Sequence, residues 1–176
     1  MRPTLIRGGR VIDPSQGLDA TLDLLLHGGA VAEIGEDLEG PEEAEVVDAA
    51  GLVVCPGLID VHVHLREPGF EHKETIATGA RAAAAGGFTA VVAMPNTDPP
   101  IDNPASVGFV LAEGLRAGAA RVYPSGAITV GQNGEQLTEF GELVGAGAVT
   151  VTDDGRPVMS AGIMRLAQAP REVLIL

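Results

Sequence analysis

From Gly57 onward the chain alternates short apolar runs with longer stretches of helix-forming residues, and no other feature limits its fold as much. The apolar runs predict strands at Leu58–His62, Phe88–Met94, Arg121–Ile128, Ala148–Thr152 and Val173–Leu176. Between them, Lys73–Ala85, Pro104–Ala117, Gln136–Gly145 and Met159–Ala169 read as helices. Gly86-Gly87 stops the first, and Asn103 caps the second. Strands joined through helices lie parallel, so the sheet is either a closed barrel or an open doubly wound sheet. The polar clusters choose between them. His62/His64, Asn96, Thr129 and Asp153/Asp154 all fall at the carboxyl ends of predicted strands, where barrel enzymes keep their chemistry. The predicted class is α/β, with residues 57–176 forming about the first four to five strands of a TIM-type (β/α) barrel. A full barrel takes eight strands and ~250 residues, so this one is expected to be incomplete.

Residues 1–56 follow a different rhythm. Thr4–Arg7, Arg10–Ile12, Leu22–Leu26, Ala30–Ile34 and Val46–Asp48 are apolar or alternating, with Gly8-Gly9, Asp13-Pro14, Gly28-Gly29 and Gly40-Pro41 between them. They predict a small β-sandwich-like segment ahead of the barrel. A net charge of -13 argues against nucleic acid or an anionic membrane as partner. The N-terminus lacks the apolar core of a signal peptide, and no run approaches a membrane span. A cytoplasmic location is expected. Cys55, the single cysteine, excludes an internal disulfide. Its apolar neighbours predict a buried, inert thiol.

The chemistry concentrates in Asp60-Val61-His62-Val63-His64-Leu65-Arg66-Glu67-Pro68-Gly69. Histidines at i and i+2 of a strand point to one face, so both imidazoles can reach one divalent ion at the barrel mouth. A bare His-x-His is more often two unrelated histidines. Here Pro56-Gly57-Leu58-Ile59 precedes it and Arg66-Glu67-Pro68-Gly69 follows. Taken alone, Arg66 would be a surface charge, Asn96 a turn residue and Asp153-Asp154-Gly155 a strand-ending turn. His27 and His72 read as structural and solvated, respectively.

Pro56 to His64 resembles the metal-binding opening of the cyclic amidohydrolases, and Leu65 to Gly69 resembles dihydroorotase in particular. Met94-Pro95-Asn96-Thr97 and Thr152-Asp153-Asp154-Gly155 match the same family, in order and spacing. The resemblance implies zinc, two ions per complete site. His62, His64 and Asp154 would be ligands, with Asp154 bridging the ions where many relatives carry a carboxylated lysine. Asp153 is the neighbouring alternative for that role. His64, Arg66 and Asn96 would bind the substrate, the guanidinium and amide holding its carboxylate. The implied reaction is reversible hydrolysis of the cyclic amide of dihydroorotate to N-carbamoyl-aspartate, in pyrimidine biosynthesis.

The family also supplies two more metal-binding histidines and an acid/base aspartate. The histidines here are only 27, 62, 64 and 72, so the catalytic acid/base is unassigned and expected beyond Leu176. The segment from Ala169 to Leu176 fits the family poorly and reads as a truncated end. The open sheet edge of a partial barrel predicts a homo-oligomer or a partner chain. Two alternatives stand beside dihydroorotase. One is a sister enzyme of the allantoinase, dihydropyrimidinase or hydantoinase type, disfavoured because the only lysine is Lys73. The other is a non-catalytic remnant or partner subunit.

Overall fold

A computed structural model describes residues 2–169 and 174–176 of the chain. It contains two compact units, Met1–Pro56 and Gly57–Leu176. In the first, β1 (Thr4–Asp13) pairs antiparallel with β2 (Leu18–His27), which pairs antiparallel with β3 (Ala30–Gly35). Gly28 and Gly29, both at positive φ, close the β2–β3 hairpin in two residues. On its other edge β1 runs parallel to β4 (Glu45–Asp48) and β5 (Val53–Val54). The two short strands expected at Thr4–Arg7 and Arg10–Ile12 are one strand. Gly8-Gly9 shifts the register within β1 between Ile6 and Gly9 rather than ending it. Cys55 follows β5 and is exposed, contrary to expectation. Leu52 and Val53 just before it are also exposed, so apolar neighbours here do not mark a core.

The second unit is a five-stranded sheet in the order β10-β9-β8-β7-β6, with every adjacent pair parallel. The elements run β6 (Leu58–Val63), α1 (Ile76–Ala85), β7 (Phe88–Ala93), α2 (Pro104–Ala117), β8 (Arg121–Gly126), α3 (Phe140–Ala146), β9 (Thr150–Val151), α4 (Ala161–Ala167) and β10 (Leu174–Ile175). The core includes Ile76 and Ala80 of α1, Val107 and Val110 of α2, and Val91, Val122, Leu143 and Val151. Burying such side chains contributes roughly 1.5–3 kcal/mol each for the larger ones. β7 is buried along most of its length, whereas Leu58, Ile59 and Val61 of β6 are exposed at the edge of the sheet.

Local chemistry explains the helix ends. Asn103 Oδ1 accepts from the backbone N–H groups of Ala105 and Ser106, Pro104 occupies the first turn, and Gly118 closes α2 in the left-handed region. α1 begins at Ile76 rather than Lys73. Thr75 caps it, Glu67 Oε2 accepts from Ile76 N at 2.8 Å, and Lys73 N is taken by the Phe70 carbonyl in a preceding turn. α3 begins at Phe140 rather than Gln136. Leu137 bridges to Thr129, and Thr138 Oγ1 donates to the Ala127 carbonyl at 2.7 Å. The predicted start of β10 at Val173 lies outside the described residues.

Candidate metal and ligand site

Each site residue belongs to the carboxyl end of a strand in the second unit. His62 lies in β6 and His64 one residue beyond it, so the two rings face each other edge-to-face, with centroids 5.3 Å apart. Asp154 arrives from the end of β9. His62 Nε2 is 3.0 Å from Asp154 Oδ1, and His64 Nδ1 is 3.8 Å from Asp154 Oδ2. One ligand atom from each of the three lies within 4.8 Å of the others. Two imidazole nitrogens and a carboxylate oxygen are a donor set suited to a divalent ion of borderline softness. The 3.0 Å pair is already closer than the ~3.4 Å that separates tetrahedral ligands of one ion. The residues present therefore fit a metal. The Asp154 side chain is 12% exposed, so its charge is only partly hydrated.

Asn96 follows β7 and joins this group. Its Oδ1 lies 3.0 Å from His64 Nδ1, and its Nδ2 donates to Asp154 Oδ2 at 2.5 Å. Its amide thus ties β6 to β9 across β7 and β8. Arg66 sits at positive φ in the loop after β6. It lines a cavity of about 310 Å³ together with Lys73, Asn96, Gln132, Asp154 and Arg156. The loop carrying Arg66 is pressed onto the loop carrying Asn96, with Asp98 N donating to the Pro68 carbonyl at 3.0 Å. Gly69 allows this contact. It has φ +93°, and a Cβ there would lie 2.1 Å from the Asp98 carbonyl oxygen.

Asp153 and Asp154 diverge. Asp153 is buried and accepts from Thr129 N at 3.0 Å and from Thr129 Oγ1. Asp154 faces His62 and His64. Thr129 is thereby part of the scaffold that holds the β8 loop to the β9 loop. His72 is exposed in a turn, and His27 is exposed at the end of β2; neither joins the group. Sequence reasoning passed over Gln132. Its only local signal is a glycine on one side and Asn133-Gly134 on the other, which reads as an ordinary turn.

The fold and the strand-end site define the class first. The structure resembles L-hydantoinase (dihydropyrimidinase) from Arthrobacter aurescens with a TM-score of 0.74 and 24% identity, over 93% of this chain and 37% of that one. Dihydropyrimidinase from Brevibacillus agri NCHU1002 matches with a TM-score of 0.63 and 28% identity, over 85% of this chain and 32% of that one. The particular family follows from sequence: the dihydro-orotase-like family profile matches residues 51–171, and the chain belongs to that family. It is 58% identical to the dihydroorotase of Pelobacter propionicus over 163 residues, 93% of this chain. It is equally similar, at 58% over 163 residues, to the dihydroorotase of Geobacter sulfurreducens. The chain spans 38% of the length of each of these two relatives. Among the described residues no helix is long and apolar enough to cross a membrane.

Proposed function

We propose that this chain carries part of the metal and substrate site of a dihydroorotase, acting in pyrimidine biosynthesis on the cyclic amide of (S)-dihydroorotate and yielding N-carbamoyl-L-aspartate. The observation that carries the reading is the His62/His64/Asp154 group beside the Arg66–Asn96 cavity, in a chain 58% identical to dihydroorotases. In this reading the parallel sheet of the second unit is the first part of a (β/α) barrel, and the ion is zinc.

Arg66 and Asn96 supply donors for the substrate carboxylate, the guanidinium through two N–H groups and the amide through one. That orients the ring so that its amide carbonyl meets the His62/His64/Asp154 group. His62, His64 and Asp154 would hold the zinc ion, which would supply positive charge for the oxygen that becomes anionic and would lower the pKa of water toward ~7. Asp154 turns Oδ1 toward His62 and Oδ2 toward His64, so its carboxylate would be among the groups holding the metal. Asp153 keeps the loop in place through Thr129 and does not face the histidines. The acid/base group that would carry the proton to the leaving nitrogen is not assigned to any residue of this sequence.

The sister reading, a hydantoinase or dihydropyrimidinase, draws support from the fold likeness. The cations Arg66, Lys73 and Arg156 around one cavity favour a substrate that bears a carboxylate. Zinc content after equilibrium dialysis tests the proposal. Wild type and Asp153→Asn are expected to retain zinc, whereas His62→Ala and Asp154→Asn lose it. In the same samples dihydroorotate, and not hydantoin, is expected to bind. Zinc retained equally by all four proteins, or preference for the uncharged ring, overturns the reading.

A further inference from the structure

Gln132 stands out among the residues lining the cavity beside Arg66 and Asn96. Gln132 is 4% exposed, and its Nε2 has no hydrogen-bond partner among the described residues. Leaving such a donor unmatched costs roughly 1–3 kcal/mol. Its backbone adds a second cost. Gln132 has φ +55°, directly after Gly131 at φ +63°, a region that residues with a Cβ seldom occupy.

Neighbouring hydrogen bonds hold the loop in this conformation. Gly131 N donates to Asp102 Oδ2 at 2.9 Å, Gln132 N to the Thr129 carbonyl at 2.9 Å, and Gly134 N to Thr129 Oγ1 at 2.9 Å. Thr129 is in turn fixed by Asp153. The surroundings thus over-determine an unfavourable backbone, and the Nε2 of the side chain it places gains no hydrogen-bond partner among the described residues in return.

We propose that Gln132 is a ligand-binding residue of this site and reads the neutral ureide portion of a carboxylate-bearing substrate. The inference rests on the dihydroorotase reading and deepens it. The division of labour follows from charge. Arg66, Lys73 and Arg156 carry positive charge and answer carboxylates. A neutral amide has both a donor and an acceptor, which is the complement of a ureide edge presenting a C=O and an N–H. In this arrangement Nε2 donates to the ureide oxygen and Oε1 accepts from the ureide N–H. Both the ring substrate and its opened product present such an edge, so Gln132 serves both directions of the reaction.

The test is calorimetric titration of the zinc-loaded chain with N-carbamoyl-L-aspartate and with succinate, which keeps both carboxylates and lacks the ureide. Gln132→Met removes the amide at nearly constant volume. It is expected to weaken N-carbamoyl-L-aspartate by about tenfold, the loss of one to two neutral hydrogen bonds, and to leave succinate unchanged. Its melting temperature is expected to stay level or rise, because an unmatched buried donor is gone. Gln132→Asn suits the left-handed backbone and keeps a shorter amide. It is expected to show a smaller loss with the same preference, which guards against a misfolded Met variant. Equal N-carbamoyl-L-aspartate affinity in wild type and Gln132→Met overturns the inference and means that water answers the amide. An equal loss for both ligands together with a lowered melting temperature also overturns it, because Gln132 is then structural. Wild type that binds neither ligand removes the dihydroorotase reading itself, and the inference with it.

Discussion

Gly69→Ala tests how the two loops of the site are held together. The added Cβ would lie 2.1 Å from the Asp98 carbonyl oxygen and 2.7 Å from Asp98 Cβ, and the residue has φ +93°. A Cβ in left-handed backbone costs roughly 1–2 kcal/mol. Forcing it against a neighbouring backbone adds about 1–3 kcal/mol. The sum is about 2–5 kcal/mol, or roughly 8–20 °C in melting temperature at about 4 °C per kcal/mol for a unit of this size. Gly87→Ala is the matched control, because Gly87 has φ +83° and open space around it. It carries only the first cost, so its midpoint is expected to fall by roughly 4–8 °C. Gly69 itself is exposed, so the loop has room to move away and relieve part of the clash. That movement breaks the bond from Asp98 N to Pro68 and separates Arg66 from Asn96, so the loss then shows as weaker binding of N-carbamoyl-L-aspartate. Calorimetric melting and ligand titration on both variants make the comparison. A Gly69→Ala protein that melts no lower than Gly87→Ala and binds ligand like wild type refutes the close-approach argument.

Two further predictions concern other parts of the chain. In the first unit the Arg10 guanidinium donates to both oxygens of Asp19 at 2.7 Å; that hydrogen bonding, with the attraction between the charges, lowers the Asp19 pKa below its ordinary value. The stability from this pairing is fully present above the unfolded value near ~3.9 and is lost as pH falls through the lowered folded value. Carbon-detected NMR titration is expected to show Asp19 returning to the ordinary carboxylate range in Arg10→Ala, and an unchanged midpoint contradicts the pairing. The second prediction starts from β6, whose exposed Leu58, Ile59 and Val61 lie on an edge strand of the parallel sheet. Unpaired apolar edges favour association, so sedimentation velocity is expected to show self-association rising with concentration. A sharp, compact monomer at all concentrations counts against it.

The sequence was most readable where one short segment decides the outcome. Helix α2 runs from Pro104 to Ala117, the predicted bounds, because Asn103-Pro104 and Gly118 act within a turn of its ends. The starts of α1 and α3 were less readable because distant groups set them. Glu67 takes the first N–H of α1, and the Ala127 carbonyl draws Thr138 out of the helix before α3. The same holds within the site. Two histidines at i and i+2 announce a shared face, and the structure brings them together with Asp154. That Asp153 turns away from the histidines depends on Thr129, which is 24 residues away in the chain. Gln132 gave no signal, because neither burial nor a missing partner is written in a turn. Cys55 misled for the converse reason: apolar neighbours in sequence can themselves be exposed.

Where the chain departs from local preference is itself informative. Among the described residues three non-glycines have positive φ: Asp37, Arg66 and Gln132. Two of them, Arg66 and Gln132, line the same cavity, and Gly69, which permits the loop contact beside it, is also left-handed. Gln132, whose Nε2 has no hydrogen-bond partner among the described residues, is one of the two. Elsewhere in the second unit α1 and α2 carry matched N-terminal caps and the core is apolar, as expected where stability alone decides. Randomly scattered strain would have no reason to gather around one cavity at the carboxyl ends of the strands. Its concentration there, beside a group of residues able to hold a metal, means that side-chain position at this point outweighs local stability. In the proposed reading, Arg66 and Gln132 are held where a ligand would meet them, with cationic and neutral donors already separated before it arrives.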